Sequence, residues 1–374
     1  MDRRALLSSL LLAGLASPAA AAAGWPSARP AIAPGRPGAR NLITDVPGIR
    51  IGQSQDTRVR TGVTVILPDE AALAAVDVRG GGPGTRETDA LSEGNLVHQA
   101  HAVVLSGGSV YGLAAADGVC AWLGAQGRGY GMPGRPASTP PSPIVPAAIL
   151  FDITNGGDKA WGLDPPYRRL GLEAVQAAGE TFELGTAGAG YGARAGGLKG
   201  GLGSASVVSA DGYTCGAIVA VNAAGSATAP GARQFWAAPL EMNREFGGLG
   251  ADRLRALPDE WGPAKAELAA RENTTIACVA TDAMLEPGEI RRIAVMAQDG
   301  LARALRPIHM PFDGDVVFAL STQRRPVTGD RAFTVGRLGA LCADTLARAI
   351  ARGVYEARAW PGSDTPAWRD LPAR

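Results

Sequence analysis

Histidine is scarce in this chain, with three among 374 residues. Any proton-transfer chemistry therefore has to find a base other than imidazole at most positions. The four cysteines, Cys120, Cys215, Cys278 and Cys342, lie far apart in apolar segments, and no C-x-x-C pair occurs. That removes the paired-cysteine metal pattern and reads as buried free thiols; one disulfide stays open if the chain is exported. Lys plus Arg is 36 against 35 for Asp plus Glu, with no basic stripe, which argues against a nucleic-acid partner. No G-x-x-x-x-G-K-[ST] is present, so there is no phosphate loop of that type. Aromatic residues make up 5%, so small residues must fill the interior. No internal repeat is evident.

The length suffices for a large core. Glycine is abundant, at 51 residues, and is scattered among Val/Ile/Leu/Ala runs. That distribution reads as tight turns and close packing, not disorder. The chain opens with Asp2-Arg3-Arg4, then the apolar run Ala5 to Ala16, then Ser17-Pro18 and a string of alanines to Ala23. A basic start, a short apolar region and an A-x-A-like site predict a signal peptide over 1–23, through either twin-arginine or general export. The apolar run is short for a bilayer span, so the mature chain is expected to have none. Residues 24–40 form a Pro/Gly-rich leader, and 41–374 read as a single domain.

Within that domain, Thr61 to Pro68, Ala71 to Val78, Ala102 to Ser106 and Ile144 to Asp152 predict strands. Ala205 to Ala210 and Thr214 to Asn222 predict a hairpin around Asp211-Gly212. Helices are expected over Val110 to Leu123, Tyr167 to Ala178, Glu286 to Leu305 and Val335 to Val354. Gly80-Gly81-Gly82-Pro83-Gly84 is a loop that either cradles an anion with its N–H groups or packs closely around a bend. Ser109, after Gly107-Gly108, suits a helix N-cap. His98 and His101 are spaced for one helical face but lack other ligand-type neighbours, so they do not make a metal site. Pro230 to Arg271 reads as irregular and exposed.

The stretch that organises the chain is Arg271-Glu272-Asn273-Thr274-Thr275-Ile276-Ala277-Cys278-Val279-Ala280. A polar run ends at Asn273, and two hydroxyl residues open an apolar strand. Thr274 at such a point is a candidate nucleophile if the chain is cut before it, its freed α-amine then serving as base. The alternative is an ordinary β-branched strand start. Asn222, at the end of a strand, can donate to a developing oxyanion or make a turn. Lys199, a cation in a glycine-rich stretch, is a site candidate, against a solvated loop lysine. Asp313 and Asp315 stand two apart just before a strand, so they share a face; they either orient a base or form an Asp-Gly-Asp turn.

Together, Gly80–Asp89, Leu105–Val119, Gly197–Ser206, Asn273–Ala283 and Pro311–Thr322 resemble the L-aminopeptidase/D-esterase family of N-terminal-nucleophile hydrolases. The resemblance implies a four-layered α/β/β/α sandwich and self-cleavage between Asn273 and Thr274 into a 24–273 large chain and a 274–374 small chain. It implies no metal or organic cofactor; the signal-like start predicts export to the periplasm, and a homo-oligomer of processed heterodimers is expected. By the same resemblance Thr274 is the nucleophile, Asn222 the oxyanion donor and Lys199 an active-site lysine. Asp313 and Asp315 orient the new amine, and Tyr191 is a possible substrate-lining residue. Thr at 274 with Asp at both acidic positions is similar to the nylon-oligomer (6-aminohexanoate-oligomer) endohydrolase branch. The expected substrate is then a small or short oligomeric amide. The alternatives are a β-peptidyl or L-aminopeptidase/D-esterase, an acyltransferase of the ornithine acetyltransferase type, and a binding protein without catalysis.

Overall fold

The central strands are continuous buried runs because each is covered on both faces. The computed structural model describes residues 33–372 except 132, 133, 135, 137, 253, 257, 262, 263 and 265–272. The expected export signal, the first part of the leader and the Arg271-Glu272 pair lie outside the described residues. One sheet comprises β1 (Ile49–Asp56), β2 (Thr61–Pro68), β4 (Thr85–Arg86), β6 (Val103–Ser106) and β7 (Ala147–Ile149), in the order β1-β2-β6-β7-β4. The other comprises β3 (Ala72–Val78), β5 (Gln99–Ala100), β10 (Gly201–Val208), β11 (Thr214–Asn222), β12 (Thr274–Ala283) and β13 (Val316–Arg325), in the order β10-β11-β12-β13-β3-β5. Two short strands, β8 (Arg194–Ala195) and β9 (Leu198–Lys199), pair with each other.

The side-chain period of two decides the layers. On β2, Val63, Val65 and Leu67 join Val119, Leu123, Leu170 and Ala174 of α1 (Ala115–Ala125) and α2 (Tyr167–Gln176). Ile66, between them, turns inward to a core with Ile218, Cys278 and Phe318 of the second sheet. On β12, Ile276, Cys278 and Ala280 enter that inner core. Ala277 and Val279 face the other way, toward Ile293 and Leu346 of α3 (Pro287–Ala304) and α4 (Arg331–Tyr355). The result is the α/β/β/α sandwich expected from the sequence. Glycine lets the helices lie on bare strand backbone: a Cβ on Gly52 would stand 1.8 Å from Ala174 O of α2, and one on Gly203 1.8 Å from Ala349 O of α4.

Helix ends follow their capping residues. Pro287 opens α3, where the Glu289 carboxylate accepts the Glu286 N–H at 2.8 Å. Asp330 caps α4 by accepting the Phe333 N–H at 2.9 Å. Four local expectations differ from what forms. The 110–123 segment begins as a 3₁₀ turn, Ser109–Ala114, before α1, and Ser109 is not a cap; it adopts φ +51° inside the turn after Gly108. Of residues 144–152 only β7 joins a ladder. His98 and His101 are separated by β5 and share no helix. Residues 230–252 are irregular but anchored, since Phe235 stacks on Trp368 at 5.4 Å between ring centres and Glu245 pairs with buried Arg348 at 2.5 Å. No helix among the described residues is long and apolar enough to cross a membrane.

Candidate active site

Strand direction assembles the site. β11 and β12 are antiparallel, so the end of β11 meets the start of β12, and Asn222 is the register partner of Thr274. β12 and β13 are parallel, so both begin at that same end, and an Asn273–Asp313 bridge precedes their ladder. Asn222, Asn273, Thr274, Asp313 and Asp315 thus converge at one sheet end, and all five are buried. Asn273 is 1% exposed and Thr274 4%, so the bond between them is inside the protein even though an exposed segment was expected before it.

The Asn273–Thr274 peptide is held closely. Gly314 N–H donates to Asn273 O at 3.0 Å, and Thr274 Oγ1 also donates to that carbonyl. Position 314 has to be glycine for this to fit: a Cβ there would stand 2.6 Å from Thr274 Oγ1 and 3.2 Å from Thr274 Cγ2. One residue on, Thr275 N–H donates to Asp315 Oδ1 at 2.8 Å. Asp315 Oδ2 accepts the His309 N–H at 3.1 Å and lies 2.9 Å from His309 Nδ1. Asp313 Oδ2 accepts the Met310 N–H at 2.9 Å, and its own N–H returns to Met310 O at 2.9 Å. The two acids therefore divide their contacts. Asp313 closes the 310–313 turn, while Asp315 ties the start of β12 to the 309 loop.

The glycine loop is packing, not an anion cradle. Gly80 N–H points at Asp315 O, Gly81 N–H at Met310 O and Gly82 N–H at Asp313 O, at 3.3, 3.3 and 2.8 Å. Its amides are consumed in holding the 310–315 backbone in place. A Cβ on Gly80 would fall 2.3 Å from Asp313 O, so a side chain there has no room.

Asn222 accepts the Arg194 N–H at Oδ1 (2.9 Å) and donates from Nδ2 to Phe151 O (2.9 Å). These bonds fix the amide plane at the end of β11. Lys199, fully buried, donates to Gly190 O, Ala193 O and Gly200 O at 3.1, 2.8 and 2.7 Å, and its Nζ lies 4.6 Å from the centre of the Trp360 ring. It is not a solvated loop lysine. These three hydrogen bonds all go to backbone carbonyls, so they join it to neither Asp313 nor Asp315. Burial holds the Lys199 ammonium well below the usual lysine range, with only partial relief from Asp152. Asp152 is itself buried, accepting from Thr61 Oγ1 and Gly108 N–H at 2.7 Å each. Burial pushes its carboxyl up to about 6, against the pull of those bonds and of Lys159 and Lys199. Tyr191, half-buried, follows the 3₁₀ turn Gly188–Gly190 in the loop that carries Lys199's acceptors.

Two residues of this neighbourhood escaped the sequence reading. His309 was one of three histidines, set between Pro307 and Pro311 and four residues before an acid. That rarity was a usable signal. Asp152 ended a strand, which gave no hint that Thr61 and Gly108, far away in sequence, would cover it. Among the described residues no group of three or more His, Cys, Asp or Glu side chains is arranged to hold a metal ion.

The profile of peptidase family S58 matches residues 41–367. An uncharacterized aminopeptidase of Mycobacterium tuberculosis is 43% identical over 355 residues, covering 88% of this chain and 98% of that protein. A 6-aminohexanoate-oligomer endohydrolase of an Agromyces species is 29% identical over 321 residues, covering 82% of each. The L-aminopeptidase D-Ala-esterase/amidase of Ochrobactrum anthropi, described as a new variant of the Ntn hydrolase fold, superposes with a TM-score of 0.62 at 20% identity, over 89% of this chain and 91% of that one. That last likeness is one of fold.

Proposed function

The chain belongs to peptidase family S58 and is a peptide or amide hydrolase, and we propose that it makes its own nucleophile by cutting the Asn273–Thr274 bond. One observation carries this: the Thr274 hydroxyl is hydrogen-bonded at Asn273 O, a carbonyl already polarised by Gly314 N–H. Attack of Oγ1 on the Asn273 carbonyl carbon forms a C–O bond and breaks the C–N bond, and the hydroxyl proton passes to the departing nitrogen. Water then hydrolyses the ester, leaving an Asn273 carboxylate and a free Thr274 amine and hydroxyl. Gly314 N–H is aimed where negative charge develops during the first step.

In the mature enzyme the Thr274 α-amine takes the hydroxyl proton as Oγ1 attacks the substrate amide. It returns that proton to the leaving amine, and water releases the acyl group. A free α-amine titrates near about 8, and it works as a base only when neutral. Asp315, bonded to Thr275 N–H, steadies the strand start that carries this amine. Asn222, the register partner of Thr274, supplies an amide donor to the oxyanion; the role of Lys199 rests on the family resemblance. Thr274→Ala should remain one chain and lose activity. Two fragments of the parental sizes from that variant, on a denaturing gel, would sink the reading.

The substrate is an extended, flexible linear amide cut internally. The acids near Thr274 are already engaged with backbone N–H groups, which leaves, among the described residues, no evident carboxylate to hold a substrate ammonium. A second reading is amino-terminal trimming, favoured by the 43% identity to a protein named as an aminopeptidase. Comparing a linear amide oligomer with its N-acetylated form separates them. Internal cleavage predicts little change, whereas reading of the free amine predicts a loss of roughly 10- to 100-fold in kcat/KM. Membership in a hydrolase family argues against the acyltransferase and non-catalytic readings. Removal of residues 1–23 during export to the periplasm, supported by their basic, apolar and small-residue order, is testable by amino-terminal sequencing of the periplasmic protein. Assembly into a homo-oligomer of 24–273 and 274–374 pairs rests on family resemblance, and light scattering of the purified protein tests it.

A further inference from the structure

Asp315 touches the backbone of the strand start directly, at Thr275 N–H, and what fixes its carboxylate is His309. Two His309 groups are directed at the same oxygen: the backbone N–H at 3.1 Å and ring Nδ1 at 2.9 Å from Oδ2. A carboxylate oxygen can only accept, so in this contact Nδ1 is the donor. With Oδ2 pinned twice, the carboxylate plane is set, and Oδ1 is left at 2.8 Å from Thr275 N–H. His309 holds this pose at φ +58°, a left-handed conformation uncommon outside Gly and Asn. Its side chain is 23% exposed while that of Asp315 is fully buried, so the histidine is the outer member of the pair.

We propose that His309 is a positioning residue for the Thr274 centre: through Asp315 it sets where the first residues of β12 stand, and hence where the Thr274 amine and hydroxyl are presented. This rests on the Thr274 reading above for its catalytic meaning, though the positioning itself does not. The fold separates the two ends of this relay by chain distance. His309 and Asp315 lie on the loop before β13, and Thr274 and Thr275 begin β12, so cleavage leaves them all in the 274–374 chain.

Two variants isolate the ring donor. His309→Gly accepts φ +58° without strain and keeps the backbone N–H, but removes the ring. His309→Asn also tolerates that backbone region, and its side-chain amide restores a donor near the place of Nδ1. With the linear amide oligomer as substrate, His309→Gly should lower kcat by about tenfold or more with KM within about twofold, and His309→Asn should recover most of the loss. Hydrogen exchange read on the peptide containing Thr275 supplies a measurement independent of catalysis. Its protection should fall in the Gly variant and return in the Asn variant. Parental kcat and parental protection in His309→Gly would overturn the proposal, as would equal impairment of both variants by both measures. If Thr274→Ala kept activity, the nucleophile reading would fail by itself, and the exchange result would still decide the role of His309.

Discussion

Gly314→Ala is the sharpest test of how the bond is cut. Gly314 has no positive φ, so its backbone suits any residue, and only space forbids a side chain. The new Cβ would stand 2.6 Å from Thr274 Oγ1, where ordinary contact begins at 3.4 Å. The hydroxyl must therefore retreat by about 0.8 Å or rotate away. Rotation is also obstructed, because Thr274 Cγ2 would lie 3.2 Å from the same methyl and Gly82 O 3.1 Å from it. The Gly314 N–H to Asn273 O bond survives the substitution, so what changes is the hydroxyl's place against the carbonyl. A misplacement near 1 Å costs on the order of 100-fold in rate, or about 2.7 kcal/mol of barrier. Overpacking by one methyl adds a stability cost of about 1–3 kcal/mol, which a thermal melt would register separately. The assay is a time course of purified precursor on denaturing gels, with intact masses of the products. Self-cleavage should slow by about 30- to 100-fold in a protein that still melts cooperatively. A folded Gly314→Ala precursor that processed at the parental rate would refute the geometry on which the mechanism stands.

Two further outcomes follow from the buried acids. Asp315→Asn places a donor where either Thr275 N–H or the His309 donors now point, so turnover should drop by roughly 10- to 100-fold in a folded protein; near-parental turnover would assign Asp315 to structure alone. Asp152 has its carboxyl raised to about 6, so the folded chain keeps this proton after the unfolded chain has released it. Its stabilising contribution is complete below about pH 4 and is lost as pH rises through about 6. Asp152→Asn can accept from Gly108 N–H and donate to Thr61 Oγ1. It should therefore gain stability relative to the parent between those pH values, by about 2–3 kcal/mol at most, measured by denaturant unfolding across pH. A parent-minus-variant difference that stayed flat with pH would contradict it.

Local pattern was enough to see the strands, the long helices and the switch from polar run to strand at Asn273–Thr274, because alternation and capping act over a few residues. Pro287 opens α3 within a residue of the expected start, whereas α4 begins at Arg331, behind the Asp330 cap and four residues before the expected Val335. The Asp-Gly-Asp sequence marked a strand start for the same local reason. What the linear order could not carry was pairing. Asn222 meets Thr274 only because β11 runs antiparallel to β12, and Asp315 reaches Thr275 only because β13 runs parallel to it. Register between strands is a long-range property, settled by which faces the two sheets and four helices bury against one another. The same holds for Lys199, whose acceptors are carbonyls of a loop folded back over it, and for the Gly80–Gly82 amides, spent on residues more than two hundred positions away. The sequence by itself determined that Thr274 opens a buried strand. The tertiary structure decided what stands around its hydroxyl, because hydrogen-bond partners of a buried group are whatever the packed layers bring within about 3 Å.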